Sequence, residues 1–143
     1  VTRRHRLPTV ASGALVVAFA GLVLTGCTSS QVRPTDDYAG EPKGVQAPAS
    51  SAGGSSWASW LDAGQHFGIV LYGSSTCPPK VQSISVEGKS SLKATLAPAP
   101  GGVCTRDYVP HTTVFATPSG VKTTAQVTID LPDSTLTLPG LPG

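Results

Sequence analysis

The sequence predicts an all-β fold: a small antiparallel β-sandwich of seven or so short strands. Three observations carry this. Thirteen prolines and sixteen glycines among 143 residues, with no methionine and few aromatics, disfavour packed helices and suit short strands joined by turns. Valine and threonine, which fit a pleated half-buried surface, are plentiful beyond residue 66. Apolar and polar residues alternate over short runs, most cleanly in Val127-Thr128-Ile129-Asp130-Leu131. An immunoglobulin-like layout is one arrangement this spacing allows; as architecture alone it implies no activity.

Taken in order, the chain opens with Arg3, Arg4, His5 and Arg6 and then runs apolar from Val10 to Leu24. A spanning helix needs about 20 apolar residues, so this shorter run reads as the hydrophobic region of a signal peptide, with its positive charge ahead of it. The segment through Ser56 is Ser, Pro, Gly, Ala and Thr with scattered charges. It offers too little apolar surface to offset its ordering entropy, which predicts a flexible linker over 27–56. As a coil such a linker averages roughly 30 Å end to end and extends to about 100 Å.

The folded part is expected over 57–138. Trp57–Tyr72 reads as a hairpin, turning at Asp62-Ala63-Gly64-Gln65; a single helical turn at Trp57–Leu61 is the competing reading. Phe67–Tyr72 is short and apolar on both faces, as in a central strand. Ile84 and Val86, then Leu92, Ala94 and Leu96, alternate with polar neighbours around a turn at Glu87-Gly88-Lys89. Val103–Val109 and Thr112–Thr117 are further strand candidates, each stopped by a proline, Pro110 and Pro118. Residues 139–143 read as a frayed tail.

Leu24-Thr25-Gly26-Cys27 resembles the lipobox of bacterial lipoproteins: an aliphatic residue, a small residue, glycine or alanine, then cysteine. The alternative is an ordinary secretory signal, or a membrane anchor that happens to end at a cysteine. The resemblance implies cleavage after residue 26, a diacylglyceryl group on the Cys27 sulfur, and residence at the extracytoplasmic face of the cell membrane. The thiolate is the nucleophile such a transfer needs, and two acyl chains hold a protein to a bilayer without a spanning helix. Thr2-Arg3-Arg4-His5-Arg6-Leu7 matches a twin-arginine signal only in part, because Arg6 stands where that pattern has an aromatic or apolar residue; general secretion is the simpler route. Beyond the leader, the Ala/Pro/Gly/Thr bias and the lack of asparagine resemble the small envelope lipoproteins of high-GC Gram-positive bacteria, a likeness that supplies no activity.

Lipidation of Cys27 would leave Cys77 and Cys104 as the remaining pair, expected to join in a disulfide outside the cytoplasm. That bond would matter to a domain of this size, whose core is marginal unaided. The formal charge of +2 belongs to the leader: without Arg3, Arg4 and Arg6, seven basic and eight acidic side chains leave −1. Lys80, Lys89, Lys93, Arg106 and Lys122 are dispersed along the chain, so no clustered basic face for nucleic acid is expected.

The catalytic motifs tested are absent from the sequence. There is no G-x-S-x-G elbow and no glycine loop ahead of a helix. His66 or His111 with Asp107 or Asp130 and a serine could be assembled into a triad, but serine is too common here for that to inform. The reading is therefore non-catalytic, with no cofactor and no metal. The alternative is an extracytoplasmic enzyme or a metal or redox accessory using Cys77/Cys104 or His66/His111. The candidate binding surface is the loop pair that the disulfide would join: Ser74, Ser75 and Thr76 against Arg106, Asp107 and Tyr108. The expected partners are the membrane, through the lipid, and an envelope protein or glycan.

Overall fold

The computed structural model describes residues 30–143. The signal peptide expected over 1–26 and the lipidation expected at Cys27 fall outside the described residues. Nine strands follow in chain order: β1 Gln31–Val32, β2 Asp36–Ala39, β3 Trp57–Leu61, β4 His66–Gly73, β5 Val81–Gly88, β6 Ser91–Leu96, β7 Val109–Ala116, β8 Val127–Asp130 and β9 Thr135–Leu138. They form two packed sheets, ordered β1-β5-β6-β8-β9 and β2-β7-β4-β3. This is the β-sandwich that the sequence predicts. Every pair is antiparallel except β6 with β8, where Leu92 lies beside Ile129 in parallel register. Counted from β3, the run β3-β4-β7 corresponds to strands A, B and E of an immunoglobulin sandwich; in the facing sheet β6 intervenes between β5 and β8.

The core lies between the sheets. Phe67 and Ile69 of β4 and Phe115 of β7 face Ile84, Leu92, Ile129 and Leu138, and all seven are fully buried. Phe67 stacks on Phe115 at 5.6 Å between ring centroids and meets the edge of Trp60 at 6.1 Å. Each such side chain contributes about 1.5–3 kcal/mol on leaving water. The Thr113 hydroxyl of β7 accepts the Val81 N–H of β5 at 3.3 Å, a buried hydrogen bond from one sheet to the other.

The hairpin β3–β4 forms as expected, with Trp57 opposite Val70 and Leu61 opposite His66. Its turn includes a short 3-10 segment, Asp62–Gly64, in which Asp62, Ala63 and Gly64 all have positive φ.

Three expectations need correction. The first is the flexible linker. Gln31 and Val32 pair with Ser85 and Ile84, and Asp36–Ala39 pair with Val114–His111, so β1 and β2 are edge strands of the two sheets. Residues 40–56 then connect β2 to β3, which are the two opposite edges of one sheet, and the segment therefore crosses that sheet's outer face. Pro42 is buried against Gly68, where a Cβ would stand 3.6 Å from the proline ring. The Gly40 carbonyl accepts the Thr112 hydroxyl at 2.6 Å. Under this strap Val70 and Thr112 are fully buried although they face away from the core. That accounts for the apolar character of β4 on both faces.

The second is the strand expected over Val103–Val109. Residues 103–108 are exposed loop, and β7 begins at Val109 and continues through Pro110. Proline is tolerated there because β2 ends opposite His111. The Pro110 carbonyl takes the Gly40 N–H at 2.9 Å, and the Gly40 carbonyl is satisfied by Thr112 instead of by a ladder N–H.

The third is the frayed tail over 139–143. The Trp60 indole N–H donates to the Pro139 carbonyl at 2.6 Å, the Leu141 N–H donates to Thr123 at 2.9 Å, and Leu141 packs against the core.

Candidate functional site

At the end of the sandwich where β4 leaves and β7 begins, the chain makes two loops, 74–80 and 97–108. Cys77 and Cys104 join them in a disulfide with Cα atoms 5.4 Å apart. Around it is a network of short side chains. The Ser74 and Thr105 hydroxyls are 2.8 Å apart, those of Ser75 and Thr105 3.2 Å, and the Thr105 N–H donates to the Thr76 hydroxyl at 3.0 Å. Asp107 accepts the Ser75 N–H at 3.0 Å and the Thr105 hydroxyl. Hydrogen bonds from the Ser75 and Thr105 hydroxyls, with the Ser75 N–H, stabilise the carboxylate and hold this exposed group at about 2. Of the six residues of the candidate surface, Ser74, Ser75, Thr76 and Asp107 are brought into this network.

Tyr108 is beside them and turned the other way. It stacks on Tyr72 with ring centroids 5.6 Å apart, and its hydroxyl donates to the Gly54 carbonyl at 3.0 Å. The Tyr72 hydroxyl donates to Glu41, and that bond, followed by burial, pushes it above its ordinary value. Glu41 and Gly54 belong to the strap, so both ends of residues 40–56 are fastened to this aromatic pair. Sequence reasoning missed these contacts, because the strap's composition carries no apolar alternation to mark it. Arg106 is exposed and takes part in none of the ion pairs among the described residues. Among the described residues, Val103, 97% exposed, and Tyr108, 63% exposed, are the large apolar side chains left in water. A shallow pocket of about 220 Å³ opens beside the disulfide between Cys77, Pro78, Pro79 and Pro98–Pro100.

The two histidines are not brought together. His66 pairs with Ala116 and His111 with Leu71, which puts them five residues apart along the ladder and on opposite faces of the sheet, about 17 Å in strand length. His66 Nδ1 lies 2.9 Å from Asp62 across the hairpin turn. His111 is buried, and its Nε2 lies 2.9 Å from Oδ2 of Asp37, whose Oδ1 is 2.6 Å from Lys80. Burial pushes the Asp37 carboxyl up, but the hydrogen bonds and charges of Lys80 and His111 together outweigh it and hold the carboxyl below its ordinary value. Sequence reasoning did not find this cluster, because Asp37 falls in the expected linker. Asp130, the other carboxylate weighed for a triad, accepts the Thr135 hydroxyl at 2.9 Å across the β8–β9 turn.

Compared with known proteins, the chain matches no family model, no curated protein and no solved structure. Among the described residues no helix is long and apolar enough to cross a membrane.

Proposed function

We propose that this chain is a lipoprotein of the cell envelope, anchored through Cys27 at the extracytoplasmic face, whose β-domain binds a partner without catalysing a reaction. The partner is a protein or glycan of the envelope, met at the disulfide-tied loop pair. One observation carries the binding assignment: the polar groups of the two loops are spent on each other while Val103 and Arg106 stand in solvent and Tyr108, held against Tyr72, still leaves 63% of its surface exposed. A rigid platform with exposed aromatic, cationic and apolar side chains is how binding surfaces keep the entropy cost of association low. The same arrangement is poor for catalysis, since a nucleophilic serine needs a base within hydrogen-bond reach. Ser74 and Ser75 instead engage Thr105 and Asp107, and Asp107 at about 2 is a weak base.

The anchor is tested by mass spectrometry of the exported protein, which should show cleavage before Cys27 and a diacylglyceryl mass on it. Cys27→Ser should leave the membrane fraction. The surface is tested by placing a photo-crosslinking residue at position 103 of the full chain in cells. Capture should be lost when Tyr108 is changed to Ala or when the disulfide is removed, and a crosslinker placed instead at position 93, on the β6 face, should capture far less. Equal capture from both positions would reject the loop pair as the binding surface.

A further inference from the structure

The structure changes what a lipid at Cys27 would do to the domain. The composition suggests a long spacer that lifts the fold clear of the lipid headgroups, but the first sheet residue is Gln31, four positions beyond Cys27. Four residues reach at most about 14 Å.

Strand β1 runs antiparallel to β5, and Gln31 stands opposite Ser85. From there the distance along β5 to the hairpin turn at Lys89 is again four residues, about 13 Å. A tether of four residues can therefore reach about as far as the end of the sandwich that carries Lys89, and little further.

Several further strand ends and the tail meet there. β6 and β8 both start at this end, being parallel, and β9 finishes opposite the start of β8. The Lys122 N–H donates to the Lys89 carbonyl at 2.8 Å, which places the two lysines side by side. Both are exposed, and neither joins an ion pair among the described residues. Glu87 and Asp62 are the acidic neighbours at this end; Glu87 accepts the Ser85 hydroxyl and Asp62 faces His66. The disulfide-tied loops occupy the opposite end.

We infer that the Lys89/Lys122 end of the sandwich lies against the membrane surface and that the Cys77–Cys104 loop pair points away from it. This rests on the lipid anchor at Cys27 proposed above. The partner at the lysine end is the headgroup layer of a phospholipid bilayer, anionic lipid adding attraction for the two free ammonium groups. Tether length sets the orientation and charge reinforces it. A domain resting on its β1–β2 edge is the competing pose, and it would bring Lys80 to the surface in place of Lys122.

The test is amine-reactive footprinting of the full lipidated chain in vesicles of phosphatidylglycerol and phosphatidylcholine, compared with the same protein in detergent. Lys89 and Lys122 should lose reactivity several-fold on reconstitution, while Lys43, Lys80 and Lys93 keep theirs. A variant with twenty Gly/Ser residues inserted between Ser30 and Gln31 should regain reactivity at both. Protection of Lys80 with Lys122 left reactive, or equal reactivity of all five lysines, would overturn the orientation. The mass of the Cys27 peptide is read in the same digest. A missing lipid mass counts against the anchor, and a lipidated chain with unprotected Lys89 and Lys122 counts against the orientation alone.

Discussion

His111 Nε2 lies 2.9 Å from Asp37 Oδ2, joining a buried imidazole of β7 to a carboxylate of β2. The other carboxylate oxygen is 2.6 Å from Lys80 Nζ, just ahead of β5 in the facing sheet. One aspartate therefore links two strands of one sheet to the start of a strand in the other. Its side chain is 30% exposed, so its electrostatic contribution is partly screened.

The sign of its pH dependence follows. The folded-state carboxyl titrates below its ordinary value, so the unfolded chain binds the proton more readily. The stabilisation is complete above the unfolded value of about 3.9 and is lost as pH falls towards and through the folded one. Asp37→Asn should cost about 1–2 kcal/mol at pH 6. The gap between variant and wild type should narrow at pH 3. Urea unfolding at the two pH values checks this, and an equal gap at both would remove Asp37 from the acid response.

A fragment of residues 57–143, the domain expected over 57–138 with its tail, should not fold cooperatively. It lacks β1, β2 and the strap. His111 would lose Asp37, and Trp57, Val70 and Thr112 would lose the cover that keeps them from water. Residues 30–143 should give a single sigmoidal urea transition with native near-ultraviolet circular dichroism. The shorter fragment should give a broad transition and bind a hydrophobic dye.

What the sequence made legible was what local pattern determines. Val127–Asp130 alternates and is buried in alternation; Phe67–Tyr72 is apolar throughout and becomes the central strand β4. The pairing of Cys77 with Cys104 followed once Cys27 was set aside. What could not be read depends on partners far along the chain. Asp36-Asp37-Tyr38-Ala39 has no strand pattern of its own, and it pairs because β7 presents an open edge and the Asp37 carboxylate accepts from Lys80 and meets His111. Pro42 is buried because the strap lays it over Gly68 of β4, a contact no local pattern announces. Val103–Val109 misled in the opposite sense. Two valines and a tyrosine suggest a strand, but the disulfide and the hydroxyl network hold 103–108 as a loop.

Reducing the Cys77–Cys104 bond should lower stability by about 3–4 kcal/mol, the loop-closure entropy released to the unfolded chain by a crosslink of this span. Cys77→Ser with Cys104→Ser should match the reduced protein. Urea midpoints with and without reductant measure the change. Freed of the crosslink, the loops should loosen the hydrogen bonds that hold Asp107 near 2, so its titration followed by NMR should move up towards the ordinary carboxylate range. An unmoved Asp107 would show that the hydroxyl network holds the loops without the disulfide.

Gly53 and Gly54 give a matched pair for testing the aromatic platform. Both have positive φ, +91° and +88°, so alanine at either meets the same backbone penalty of about 1–2 kcal/mol. They differ in what a Cβ would touch: nothing lies within 4 Å at Gly53, whereas at Gly54 the Cβ would stand 2.7 Å from the Tyr108 ring. Gly53→Ala should lower stability and leave Tyr108 where it is. Gly54→Ala should lower stability and also displace the ring from Tyr72, breaking the 3.0 Å bond from its hydroxyl to the Gly54 carbonyl. The Tyr108 ring proton shifts should therefore change in Gly54→Ala alone, and capture by a crosslinker at position 103 should fall with them. If both variants moved the ring equally, the strap would be acting on the loop pair through its backbone as a whole, and the contact between Gly54 and Tyr108 would carry no special weight.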